Sequence, residues 1–144
     1  MVEHRFQKTI TIAAPVNEVW EALTVPALMK QWMTESEIDI VTSWEKGSPF
    51  IVQGDLHGIE FQNKGVVLDY EPMQRLAYSH LSSLSELPDT PDNYTVIDFS
   101  LQPGAVLNIE ITNFPTEAIY HHMAYYWNVA PNILKNYLEK IHRP

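Results

Sequence analysis

Apolar residues in the segment 5–13 recur at every second place, with Phe6, Ile10 and Ile12 on one side and Gln7, Thr9 and Thr11 on the other. That is the period of a half-buried strand, interrupted on its inner side by Lys8. From Pro15 the period changes. Val16, Val19, Trp20 and Leu23 stand at i, i+3, i+4 and i+7, which predicts a short amphipathic helix with Pro15 at its first position. A second helix is predicted to start at Thr24, with Pro26 just inside and Leu28, Met29 and Trp32 continuing the stripe.

Between residues 37 and 114 the chain reads as strand, turn, strand. Gly47-Ser48-Pro49, His57-Gly58, Glu71-Pro72-Met73-Gln74 and Pro103-Gly104 supply the punctuation, and about six strands are expected. The best defined are Val66, Leu68 and Tyr70; Leu76, Tyr78 and His80; Ile97, Phe99 and Leu101; and Leu107, Ile109 and Ile111, each apolar at alternate positions. One-sided alternation of this kind predicts an antiparallel sheet covered on one face, with Asp98, Asn108 and Glu110 on the wet face. The polar, proline-bearing segment 82–93 breaks the rhythm as a long loop, either a lid or a surface insertion. Residues 116–142 carry Tyr120, Met123, Ala124, Trp127, Leu134, Leu138 and Ile141 at helical spacing, with basic residues including Arg143 near the end. A long C-terminal helix follows, in which Pro131 removes one backbone hydrogen bond.

A sheet of six to seven antiparallel strands, two short helices after the first strand and one long terminal helix must bury two apolar faces against each other. The sheet therefore curls around the helix, an α+β arrangement. With 144 residues the chain is expected to form a single domain over 1–144.

Composition narrows the chemistry. There are no cysteines, which excludes disulfides, thiolate metal sites and cysteine nucleophiles. Nine basic against 18 acidic residues give a formal charge of −9, so nucleic acid is excluded as an expected partner. No secretory core or membrane-length apolar run is present, and a cytoplasmic location is expected. His121 and His122 are adjacent and do not build an i, i+4 zinc pair, and His57 with Glu60 supplies only two ligands, so no metal or other cofactor is expected. No serine stands in Gly-x-Ser-x-Gly and no phosphate-cradling glycine loop occurs.

The run Ile10-Thr11-Ile12-Ala13-Ala14-Pro15-Val16-Asn17-Glu18-Val19-Trp20-Glu21-Ala22-Leu23-Thr24, followed by Pro26 and Gln31-Trp32-Met33, resembles the opening of the family named for activators of the heat-shock-protein-90 ATPase. That family belongs to the START-like (SRPBCC) superfamily of helix-grip folds. Lys46-Gly47-Ser48-Pro49-Phe50 resembles its glycine turn, Gly65 to Pro72 its strand-to-proline turn, and Gln74 to His80 the strand that follows. His80 departs from the aromatic residue usual there, and only Gly47 remains of a doubled glycine. The resemblance implies a helix-grip fold with an apolar cavity between sheet and long helix. It leaves function open, because carriers, cyclases and co-chaperone domains share the scaffold.

Strand parity places Phe50, Val52, Leu68, Tyr70, Tyr78, His80, Phe99, Leu101 and Ile109 on the inner face, opposite Tyr120, Met123 and Trp127. The candidate ligand-binding set is Trp32, Phe50, Tyr70, Tyr78, His80, Phe99, Tyr120, Met123 and Trp127, an aromatic wall of the kind that holds small molecules, though the same side chains would serve to fill a core. His80 is the titratable group in that wall, either orienting a ligand or paired with Tyr78, Tyr120 or a backbone carbonyl. Trp44 and the acidic run from Glu35 to Asp39 stand at a helix-to-strand junction as either an interaction edge or a packed Trp beside solvated charge. The expected function is binding of a small hydrophobic, aromatic or lipid-like molecule. A cyclase- or hydratase-type enzyme using His80 and tyrosine hydroxyls ranks second, and a co-chaperone-like module with a chaperone partner ranks third. Homodimerisation stays open.

Overall fold

The computed structural model describes residues 4–34 and 37–141. The alternating N-terminal segment forms β1 (Phe6–Thr11), with Phe6 buried and Gln7, Thr9 and Thr11 exposed. Lys8, the interruption on its inner side, sends Nζ 2.7 Å to the Asn128 carbonyl on the C-terminal helix. Helix α1 (Val16–Thr24) buries Val19, Trp20 and Leu23, and α2 (Pro26–Met33) buries Met29 and Trp32. Pro15 caps α1 rather than opening it, and Val25, not Thr24, is the residue before α2. Thr24 closes α1, its hydroxyl donating to the Trp20 carbonyl at 2.8 Å.

The six expected strands follow as β2 (Ile38–Thr42), β3 (Pro49–Leu56), β4 (Ile59–Glu71), β5 (Arg75–Ser82), β6 (Thr95–Gln102) and β7 (Val106–Thr112). They join β1 in one antiparallel seven-stranded sheet, ordered β1-β7-β6-β5-β4-β3-β2. The chain enters the sheet at one edge and re-enters at the other, so α1 and α2 carry it across. Helix α3 (Glu117–Ile141) packs against α2 and β1. Lys135 Nζ donates to the Thr11 carbonyl at 2.7 Å, and Glu139 accepts from the Ala13 amide at 2.8 Å. Curved sheet, long helix and paired short helices make the α+β helix-grip arrangement that the hydrophobic pattern predicts.

Strand β4 departs from simple alternation. Val67 pairs with Tyr78 but Asp69 pairs with Ala77, so Leu68 is an extra residue that turns outward. Leu68 and Val66 are exposed while Val67 is buried, which corrects the parity expected for Val66 and Leu68. Tyr70, beyond the bulge, returns to the inner face and packs against Trp20 and Trp44. Bulges bend a strand and raise its local twist, so this one contributes to the curl. Nearby, β4 and β5 approach so closely that a Cβ at Gly65 would overlap the Ser79 carbonyl group.

On the outer face the expected polar positions hold: Asp98 pairs with Arg75 at 2.7 Å and Glu110 with Arg5 at 2.6 Å. Trp44 is a packed core residue, its indole N–H donating 2.7 Å to the Thr24 carbonyl. Glu35 and Ser36 of the acidic run lie outside the described residues, as do His142 and Arg143. In α3 the buried stripe ends at Leu138. Ile141 is exposed.

Gly65→Ala forces a backbone shift and should lower stability by about 3 kcal/mol, roughly 10 °C in a thermal melt. Gly47→Ala, at φ +88 with nothing near the added methyl, should cost about 1 kcal/mol. Equal melting temperatures for the two variants would contradict the close approach.

Candidate functional site

The aromatic side chains divide into two groups along the inner face. Trp20, Trp44, Tyr70 and Phe50 pack on one another beneath α1, with Trp44 stacked on Tyr70 at 5.7 Å. Phe50 in turn stacks on Tyr78 at 4.1 Å. Tyr78, Phe99, Trp127 and Trp32 continue as edge-on contacts of 5.5 to 6.4 Å, the geometry that ring quadrupoles favour. The Trp32 indole N–H is satisfied by the Ala22 carbonyl at 2.8 Å. This end of the interior is filled.

Toward the other end the packing opens into a cavity of about 600 Å³. Its floor is the inner face of β3 to β6, with Phe50, Val52, Phe61, Asn63, Tyr78, His80, Thr95 and Ile97; its roof is α3, with Ile119, His122, Met123, Tyr126 and Trp127. The segment after β5 closes one side through Leu84, Ser85, Leu87 and Asn93. This segment is built from two 3-10 turns, Ser83–Ser85 and Pro91–Asn93, and Asp89 pins it to the sheet by accepting from Lys64 at 2.5 Å and Tyr94 at 2.6 Å. Hydrogen bonding from Lys64 first, and then Tyr94, holds the Asp89 carboxyl below its usual range.

Of the nine sequence candidates, Phe50, Tyr78, His80, Met123 and Trp127 come together on the cavity wall. Trp32, Tyr70 and Phe99 stand behind it in the aromatic packing, outside the cavity's lining. Tyr120 is elsewhere: it stacks on His4 at 4.0 Å and meets Phe114 edge-on at 5.0 Å. The face of α3 turned to the cavity runs through 119, 122–123 and 126–127, so the stripe read from Tyr120 and Ala124 is rotated by about one residue, 100° on a helix. Phe61, Asn63, Ile119, His122 and Tyr126 are among the wall residues that sequence reasoning passed over. Alternation of Phe61 and Asn63 before Gly65 was the available signal for two of them.

His80 keeps some exposure, and it borders the cavity. Burial, and secondly the proximity of His122, push its pKa down to about 4, so the imidazole is neutral near pH 7. Tyr120 lies away from the cavity that His80 lines, so it is not the histidine's partner. Burial likewise raises the Tyr78 and Tyr126 hydroxyl pKa values. The Tyr126 hydroxyl donates 2.5 Å to the Met33 carbonyl, capping the end of α2 beside the cavity. Among the described residues no cluster of three or more His, Asp, Glu or Cys side chains is placed to hold a metal, and no helix is long and apolar enough to cross a membrane.

Comparison with known proteins gives a consistent result. The family model described as "Activator of Hsp90 ATPase homolog 1-like protein" matches residues 13–139. The solution structure of ChR145 from Cytophaga hutchinsonii is similar at 30% identity and TM-score 0.78, covering 99% of this chain and 100% of that one. A Chromobacterium violaceum protein, CV1439, is similar at 19% identity and TM-score 0.77, with 94% and 96% covered. The Aha1 dimer from Colwellia psychrerythraea is similar at 22% identity and TM-score 0.68, with 96% and 97% covered. No curated protein matches significantly.

Because the native state resists protonating His80 while the unfolded chain does not, stability should be fully present above about pH 6.5 and fall as the pH drops toward about 4. The loss attributable to this group is on the order of 3 kcal/mol. His80→Gln should show a shallower decline than wild type over that window in urea melts; parallel curves would mean that the imidazole is not desolvated.

Proposed function

The chain belongs to the family of Activator of Hsp90 ATPase homolog 1-like proteins, and on that premise we propose that it binds a small hydrophobic molecule, aromatic or lipid-like, between the sheet and α3. The observation that carries this reading is the cavity of about 600 Å³, within the range of small-molecule sites. Ordinary interior packing leaves few voids larger than a water; this space, partly open to solvent, is far larger and has room for a small molecule. Its walls suit an apolar one: Ile38, Phe50, Val52, Phe61, Ile97 and Trp127 all face it.

Binding is favoured over catalysis by what the wall lacks. Among the described residues no Asp, Glu, Lys or Arg side chain lines the cavity. Acid–base chemistry there would fall to two histidines, one of them held neutral at working pH. In this reading the protein is a cytoplasmic carrier or sensor with a small-molecule partner.

Thermal-shift screening against lipids, flavonoids and polyketide-like aromatics should find compounds that raise the melting temperature in proportion to log concentration. Stabilisation is about 2.7 kcal/mol at a hundredfold excess over Kd, roughly 5–10 °C. Met123→Trp, which fills the cavity from α3, should abolish that shift while the circular dichroism spectrum is retained. No stabilisation by any class, with no co-purifying molecule in native mass spectra, would remove this function.

A further inference from the structure

We propose that the cavity selects an uncharged ligand bearing a hydrogen-bond donor on an apolar body, and that the Asn63 carboxamide reads that donor. This rests on the binding role proposed above and adds the polarity of the ligand to it.

The cavity wall contains polar groups but, among the described residues, no Asp, Glu, Lys or Arg side chain. A carboxylate or ammonium brought into it would lose its water without gaining a counter-charge, a steep penalty in an apolar site. His80 does not supply one near neutral pH. The formal charge of −9 further disfavours anions at the approach.

Asn63 supplies the positive half of the argument. Among the described residues its Oδ1 is the one buried side-chain oxygen or nitrogen that no hydrogen bond reaches. Buried acceptors are normally paired, and an orphan carries a desolvation penalty that a ligand donor would relieve. Asn63 stands on β4 opposite Ser82, and thus diagonal to His80 on the same face. The next inward position on β4 is Gly65, which has no side chain to crowd the amide. The terminal amide torsion is broad and roughly two-fold, so a rotation about it would present the carbonyl oxygen, which is buried in this structure, to a ligand without movement of the strand. The neutral His80 imidazole adds one donor and one acceptor nearby.

Three probes of one shape test this by calorimetry at pH 7.5: 2-naphthol, its methyl ether 2-methoxynaphthalene, and 2-naphthoate. Wild type should bind the naphthol roughly tenfold tighter than the ether and the naphthoate more weakly than either. In Asn63→Leu the naphthol-to-ether ratio should fall to about one with the ether affinity kept; Asn63→Ala serves if the leucine variant does not fold. Equal affinities of wild type for naphthol and ether would overturn the proposal and leave cavity binding standing. So would an unchanged ratio in the variants, the tightest binding for naphthoate, or tighter binding of the ether, which would put the amide N–H toward the ligand. Binding of none of the three would overturn the cavity reading and this proposal together.

Discussion

The close approach of β4 and β5 sets the shape of the inner face. Gly65 admits the Ser79 carbonyl where any side chain would block it, and the Ser79 hydroxyl accepts from the Val66 amide at 3.0 Å. Two residues later the register slips at Leu68. The consequence reaches both ends of the sheet. Tyr70 and Val67 can both face inward although their separation is odd, which brings Tyr70 onto Trp44 while Tyr78 stays stacked on Phe50. A regular strand continuing from Val67 would have turned Asp69 inward and Tyr70 outward, and broken the aromatic packing that fills the α1 end.

Filling one end is what leaves room at the other. The rings from Trp20 to Trp127 form a continuous partition, and several of their polar atoms are satisfied by helix carbonyls: Trp32 at Ala22, Trp44 at Thr24, Tyr126 at Met33. These bonds fix the rings against α1 and α2, so they do not collapse into the space beside them. Lys64, Asp89 and Tyr94 hold the segment after β5 across the opposite side. The cavity is thus bounded by packed aromatics on one side and by a pinned loop on the other, with α3 above.

Much of the fold was legible because it rests on local periodicity. Six strands, two short helices and a long terminal helix follow from period-2 and period-3.6 patterns with glycine and proline punctuation. What failed to read was non-local. Leu68 carries no local mark of a bulge, since only its pairing with β5 makes it the extra residue. Tyr120 and Ile119 are equally apolar, and the rotation of α3 about its axis is fixed by distant contacts such as Lys8 to Asn128 and Lys135 to Thr11. The rotation of α3 bears on the candidate set too: Phe50, Tyr78 and His80, on strands that periodicity predicts, line the cavity, whereas Tyr120 stands on a face of α3 turned away from it.

A histidine where the family resemblance leads one to expect an aromatic ring changes the character of the wall more than its shape. A ring would extend the apolar packing toward β4. His80 instead places a neutral polar group diagonal to the Asn63 amide, and Thr95, 1% exposed, pairs with it across β5 and β6. Polar atoms clustered on one patch of an otherwise apolar surface act by direction, because an unpaired donor or acceptor costs more there than in water. The apolar remainder fixes the volume of whatever is accommodated, and the patch fixes its orientation. Selectivity in such a site comes from rejecting groups left without a partner, which is a sharper criterion than the addition of one more methylene contact.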